Sequence, residues 1–248
     1  MSKDKVIEDN VSFVRELCKE NTNIDLLALC NILGISIIDT QSLDKEGYLI
    51  CSDGLKLIFI DFKIQNKHKK RFIIAHEIGH FLMHRAKMYC CSDIGENRST
   101  RTNTPFQEKQ ANDFASELLL PQKDVENALP IGRLHFSSIS DIANRYDVSM
   151  TMTAIKAIAC SKTEEEILLC YENDKLRWYA SSNKYIGISQ IPSTCPMIID
   201  MESNYSKVYQ YWDDIYDGAV MQEVFHPFPS QVLILLAGDR WKYIRYSY

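Results

Sequence analysis

From Phe72 to Met83 the chain reads Phe72-Ile73-Ile74-Ala75-His76-Glu77-Ile78-Gly79-His80-Phe81-Leu82-Met83, an apolar run whose only charged residue is Glu77. A helix that is apolar on almost every side is a buried helix. Burying two histidines and a carboxylate without partners is costly, so this segment must satisfy them inside the protein. Positions i and i+4 of a helix lie one above the other. His76 and His80 can therefore grip one zinc ion from the same side, with Glu77 beside them as a proton acceptor for an attacking water. His-Glu-x-x-His in this setting implies metal-assisted peptide hydrolysis. Gly79 costs helix propensity, and its gain is the close approach of another backbone or of a substrate.

A catalytic zinc takes three protein ligands and keeps one position open. The metzincin pattern would need Gly and His three and six residues beyond His80, where the chain has Met83 and Ala86. The gluzincin pattern takes a Glu from a second helix. The stretch Glu108–Pro121 reads as that helix, with Pro105 suited to its first turn and Pro121 to its end. At 3.6 residues per turn, Glu108, Ala111, Asn112, Ala115 and Leu119 share one face, while Glu117 lies opposite and Asp113 well round the side. Small Ala111 and Ala115 would let the two helices press together. Glu108 is thus the expected third ligand, and Asn112, one turn on, the residue that orients a ligand histidine through its other ring nitrogen. His84 cannot join His76 on one ion, two turns away. It reads as a cleft-side or surface residue.

These residues resemble the ImmA/IrrE family of bacterial metallopeptidases. The resemblance rests on Arg71-Phe72 leading into Ala75-His76-Glu77-Ile78-Gly79-His80, then Glu108, Ala111-Asn112, Phe114-Ala115 and Leu118-Leu119-x-Pro121, and covers about residues 22–160. It implies zinc held by His76, His80 and Glu108, with Glu77 as general base. It also implies a cytosolic enzyme that cleaves a helix-turn-helix repressor of a mobile element or stress response. Two other classes compete with this one. One is a non-proteolytic or toxin-like regulator that binds such a partner around a structural zinc. The other is a DNA-binding factor using residues 139–160.

Composition narrows these classes. The chain has 248 residues, 46% apolar and 25% charged, with a net charge of −5. That balance argues against direct nucleic-acid binding. No apolar stretch reaches membrane-spanning length, and Met1–Lys5 leads into a polar segment instead of a signal core, so a cytoplasmic location is expected. The eight cysteines show no paired spacing, and Cys90-Cys91 falls in a polar loop, 87–103, between the ligand helices. The basic run Lys67-His68-Lys69-Lys70-Arg71 reads as a solvated loop.

The expected architecture is α+β. A compact gluzincin-like metallopeptidase domain, a small sheet plus two ligand-bearing helices, spans residues 1–160 with its helical extension. A C-terminal mixed α/β domain spans 167–248. Helices are expected over 4–20 and 24–33, the latter stopped by Gly34. Strands are expected at 35–39, 47–52 and 55–61, with an edge for an extended substrate among residues 47–61. Residues 136–160 imitate a helix-turn-helix, but Thr151, Met152, Thr153, Ala154 and Lys156 are poor in base-reading side chains. Strands at 167–171, 176–180, 232–237 and 241–246 and a helix around 208–220 complete the reading. A second oxyanion donor could be His135, Tyr146 or His226, and the sequence does not choose among them.

Overall fold

A computed structural model describes residues 3–19, 22–41, 46–52, 54–84, 105–163, 165–183, 186–196, 212, 214–216 and 220–238. Two compact units emerge from packing. One holds Met1–Pro121 with Arg145–Val148, the other Gln122–Asn144 with Ser149–Tyr248. The polar loop 87–103 with Cys90-Cys91, the expected strand at 241–246 and most of the expected helix at 208–220 lie outside the described residues.

The first unit opens with α1 (Lys3–Leu17) and α2 (Leu26–Leu33). Asp25 caps α2, its carboxylate accepting from the Leu27 and Ala28 amides at 3.0 Å each. Gly34 ends it at φ 70°, a left-handed conformation that costs a Cβ-bearing residue dearly. Strands β1 (Ser36–Thr40), β2 (Gly47–Ser52) and β3 (Leu55–Asp61) follow. They form a sheet in the order β1-β3-β2, with β1 parallel and β2 antiparallel to β3. The central strand buries Ile58 and Ile60 completely. Among the described residues β2 is an edge strand, inside the 47–61 window expected for it.

Helix α3 (Lys67–Met83) packs on this sheet, and α4 (Pro105–Leu119) packs on α3. Here the reading of Lys67–Arg71 as a solvated loop fails, because these residues are the first turn and a half of α3. Cations at a helix N-terminus oppose its dipole, and distant carboxylates compensate. Lys70 pairs with Asp39 at 2.6 Å, Lys69 pairs with Glu46, and Lys67 reaches Asp147 at 2.7 Å. Asp147 also receives His68 at 3.3 Å and Arg71 at 3.6 Å. Burial, the larger influence, lowers the pKa of Arg71 despite that carboxylate. Asn66 caps the helix by accepting from the Lys69 amide.

The second unit contains α5 (Gln122–Ala128), most of α6 (Phe136–Tyr146) and α7 (Met150–Cys160). A three-residue turn joins α6 to α7, with Asp147 at φ 51° and Ser149 capping α7. Strands β4 (Glu166–Glu172), β5 (Lys175–Ser181), β6 (Val220–Phe228) and β7 (Gln231–Gly238) form an antiparallel sheet in the order β5-β4-β7-β6. Central β4 and β7 are buried on both faces, which explains their unbroken apolar runs. Ile167, Leu169, Tyr171, Ile234 and Leu236 form a core with Trp212, Ile215 and Tyr216. Helix α7 packs on β4 and β5. Strand β6 was not expected. Val220 opens it, where a helix was foreseen, and Pro227 sits inside it, at a register shift between Phe225 and Phe228. An edge strand tolerates a proline at such an irregularity.

Candidate metal centre

The burial expected of α3 is present on most of its circumference. Ile73, Ile74, Ala75, Glu77, Ile78, Gly79, His80 and Phe81 are all buried. Gly79 explains how α4 comes so close. A Cβ built there would lie 2.8 Å from Phe114 Cδ1 and 3.4 Å from Ala111 Cα. Ala111, Phe114 and Ala115 are themselves fully buried. The small residues on both helices thus let their backbones approach and bring Glu108 over the histidines.

His76 Nε2 lies 3.0 Å from His80 Nε2. Glu108 Oε2 is 3.2 Å from His76 Nε2, and its Oε1 is 3.5 Å from His80 Nε2. A tetrahedral ion about 2.0–2.1 Å from each ligand atom separates those atoms by about 3.3 Å. The two ring nitrogens, and each ring nitrogen with one Glu108 oxygen, stand near that edge length, and one ligand atom from each of the three residues lies within 4.8 Å of the others. Among the described residues, no fourth metal-ligating side chain joins these three. The Glu108 side chain is 40% exposed whereas that of His80 is 7% exposed, so the cluster opens to solvent on the Glu108 side. Closed four-ligand sites are structural, and three-ligand sites with an open side suit catalysis. The residues present fit a divalent metal.

The electrostatics agree. Burial, followed by the neighbouring His76, pushes the His80 pKa down to about 4, against an opposing pull from Glu108. The ring is neutral near pH 7, as a ligand must be. His76 Nδ1 lies 2.9 Å from Asn112 Oδ1. The amide oxygen accepts, so the ring proton belongs on Nδ1 and the lone pair on Nε2, which faces the cluster. Glu77, between the histidines in sequence, is buried at 7% exposure.

The sequence reading missed the setting of His84. It is half-buried, and its Nδ1 lies 2.9 Å from His80 Nδ1, while its Nε2 lies 3.3 Å from Gln110 Oε1 on α4. The signal in the sequence is another i, i+4 step from His80, which the expectation of a cleft-side or surface residue leaves unused. Of the oxyanion candidates, His135 is engaged in the second unit. Its Nδ1 pairs at 2.6 Å with Glu223, whose other oxygen accepts from the Phe136 amide at the start of α6. His226 is exposed on β6, and Tyr146 is buried at the end of α6.

Comparison with known proteins agrees with this geometry. The profile of the IrrE N-terminal-like domain, a peptidase family, matches residues 30–157, more than half of the chain. Metallopeptidase ImmA of Bacillus subtilis (strain 168) is 28% identical over 121 residues, which span 47% of this chain and 66% of that relative. A Mycobacterium tuberculosis transcriptional regulator shares the fold at a TM-score of 0.52 and 12% identity, over 96% of this chain and 82% of that one. The matched region contains both α3 and α4, and the chain belongs to the ImmA/IrrE family of metallopeptidases.

Proposed function

We propose that this chain is a zinc-dependent endopeptidase of gluzincin type that cleaves a specific cytosolic protein, a helix-turn-helix repressor of a mobile element or stress response. The observation that carries the reading is the preformed triangle of His76, His80 and Glu108, open on one side. The repressor as substrate is supported by the family resemblance alone.

In this reading His76, His80 and Glu108 hold the ion. A zinc held there would supply the Lewis acidity that activates a water near neutral pH and polarises the scissile carbonyl. Asn112 fixes the tautomer of His76. Glu77 takes a proton from the attacking water and hands it to the leaving amine. Edge strand β2 is where an extended segment of substrate adds to the sheet. The N-terminal end of this strand lies against α3, since a Cβ on Gly47 would meet Ile73.

Metal analysis tests the first half of the reading. The purified protein should carry one equivalent of zinc, and Glu108→Ala and His76→Ala should each lose it. Zinc retained by both variants would remove the proposed ligand set. The non-proteolytic alternative differs only at Glu77, since it keeps zinc and needs no general base.

A further inference from the structure

His80 must present an unprotonated Nε2 to a metal, so its proton must sit on Nδ1. That nitrogen lies 2.9 Å from His84 Nδ1. His84 Nδ1 must then accept, and a neutral imidazole that accepts at Nδ1 carries its proton on Nε2. His84 Nε2 in turn lies 3.3 Å from Gln110 Oε1, an acceptor. With the Gln110 oxygen so placed and both rings neutral, one arrangement satisfies these two contacts. It runs from His80 Nδ1–H to His84 Nδ1, and from His84 Nε2–H to Gln110 Oε1.

We propose that His84 and Gln110 are positioning residues of the metal centre, which hold His80 in the tautomer and ring orientation that direct Nε2 at the ion. The inference rests on the metal-site reading above. The two ligand histidines are thereby anchored in parallel. His76 leans directly on the Asn112 amide of α4, and His80 leans through His84 on the Gln110 amide two residues earlier. Both anchors come from the helix that supplies Glu108, so docking of α4 delivers the third ligand and orients the other two together. The backbone keeps His84 in reach, because its amide donates to the His80 carbonyl at 2.9 Å. Side-chain substitutions at 84 leave that backbone bond in place.

Zinc affinity, measured by competition with a chromophoric chelator, tests the chain in the full-length protein. Melting of the metal-free form is measured beside it. Asparagine at 84 keeps an acceptor near the position of Nδ1, whereas leucine keeps only bulk. His84→Leu should weaken zinc binding about 10–100-fold, the usual effect of losing such a partner. His84→Asn should stay close to the parent chain. Gln110→Met should weaken binding, and should cost little more when added to His84→Leu, since both break one chain. A merely packing role would give the reverse order, with leucine tolerated and asparagine not. That order, or unchanged affinity in His84→Leu, overturns the proposal. If His84→Leu does not fold, Gln110→Met decides, and unchanged affinity there overturns it. A parent chain that binds no zinc defeats the metal-site reading itself, and the proposal with it.

Discussion

Adding one methyl group at Gly79 should uncouple metal binding from stability. A Cβ there would lie 2.8 Å from Phe114 Cδ1, 3.2 Å from its Cγ and 3.4 Å from Ala111 Cα. Carbon atoms pack at about 3.5–4.0 Å, so the nearest contact is short by about 0.7–1.2 Å. The Phe114 ring is fully buried and has little room to turn away. The relief is a shift of α4 of about that size. Overpacking costs about 1–3 kcal/mol, while alanine regains about 0.8–1.0 kcal/mol of helix propensity over glycine. The net loss of stability is small, about 0–2 kcal/mol. The site has no such offset. Glu108 rides on α4 and now stands 3.2 and 3.5 Å from the two Nε2 atoms, whereas ligand distances tolerate only about ±0.2 Å. Zinc affinity of Gly79→Ala should therefore fall about tenfold or more, as for other disturbances of a ligand's support. Chelator competition reads the affinity, and calorimetry of the metal-free protein reads the stability. Gly79→Val should lose more than Gly79→Ala. Parent-like affinity in Gly79→Ala would refute the argument that this glycine sets the approach of α4.

Other expectations follow from single contacts. The Lys67 hydrogen bond, more than the nearby Arg71 charge, holds the Asp147 carboxyl below its ordinary 3.8. A lowered carboxyl stabilises the fold above that value, and the contribution is lost as pH falls through the lower folded one. Urea midpoints between pH 5 and 2 should decline less steeply for Asp147→Asn, and an identical decline would contradict the pairing. His80 has the same sign with a different window. Its folded pKa of about 4 lies below its ordinary 6.5, so the unfolded chain takes the proton first. The metal-free protein should lose stability as pH falls from about 6.5 toward 4, and His80→Gln should remove that part of the slope. Gly34→Ala, forced to φ 70°, should cost about 1–2 kcal/mol in chemical denaturation. No loss would mean that α2 can end another way.

The site was legible in the sequence because its spacing is local. His76, Glu77 and His80 share one helix, and the face containing Glu108, Ala111, Asn112 and Ala115 follows from the helical period. That face brings Glu108 within 3.2 Å of His76 and 3.5 Å of His80, and Asn112 within 2.9 Å of His76. What escaped depends on partners distant in the chain. Lys67–Arg71 looked like a loop because four cations suit a helix start poorly, and their compensating Asp39, Glu46 and Asp147 come from other elements. Strand β6 was hidden by Pro227 and by Gln222 and Glu223. Gln222 accepts from buried Trp212 and Glu223 caps α6, roles that no alternation of polarity announces. His84 was recognised as a histidine at ligand spacing but not as a hydrogen-bond partner, since ring orientation is invisible in a sequence.

The central claim is that Glu77 serves a hydrolytic reaction at this metal centre. Its most direct test compares new protein N-termini in host cells expressing the chain with those in cells expressing Glu77→Gln, at equal zinc content and under both resting and DNA-damaging conditions. The account predicts one or a few new termini, found only with the intact chain and lying in a helix-turn-helix regulator. The same termini from both proteins, or none from either, would contradict it and favour a regulator that acts by binding alone.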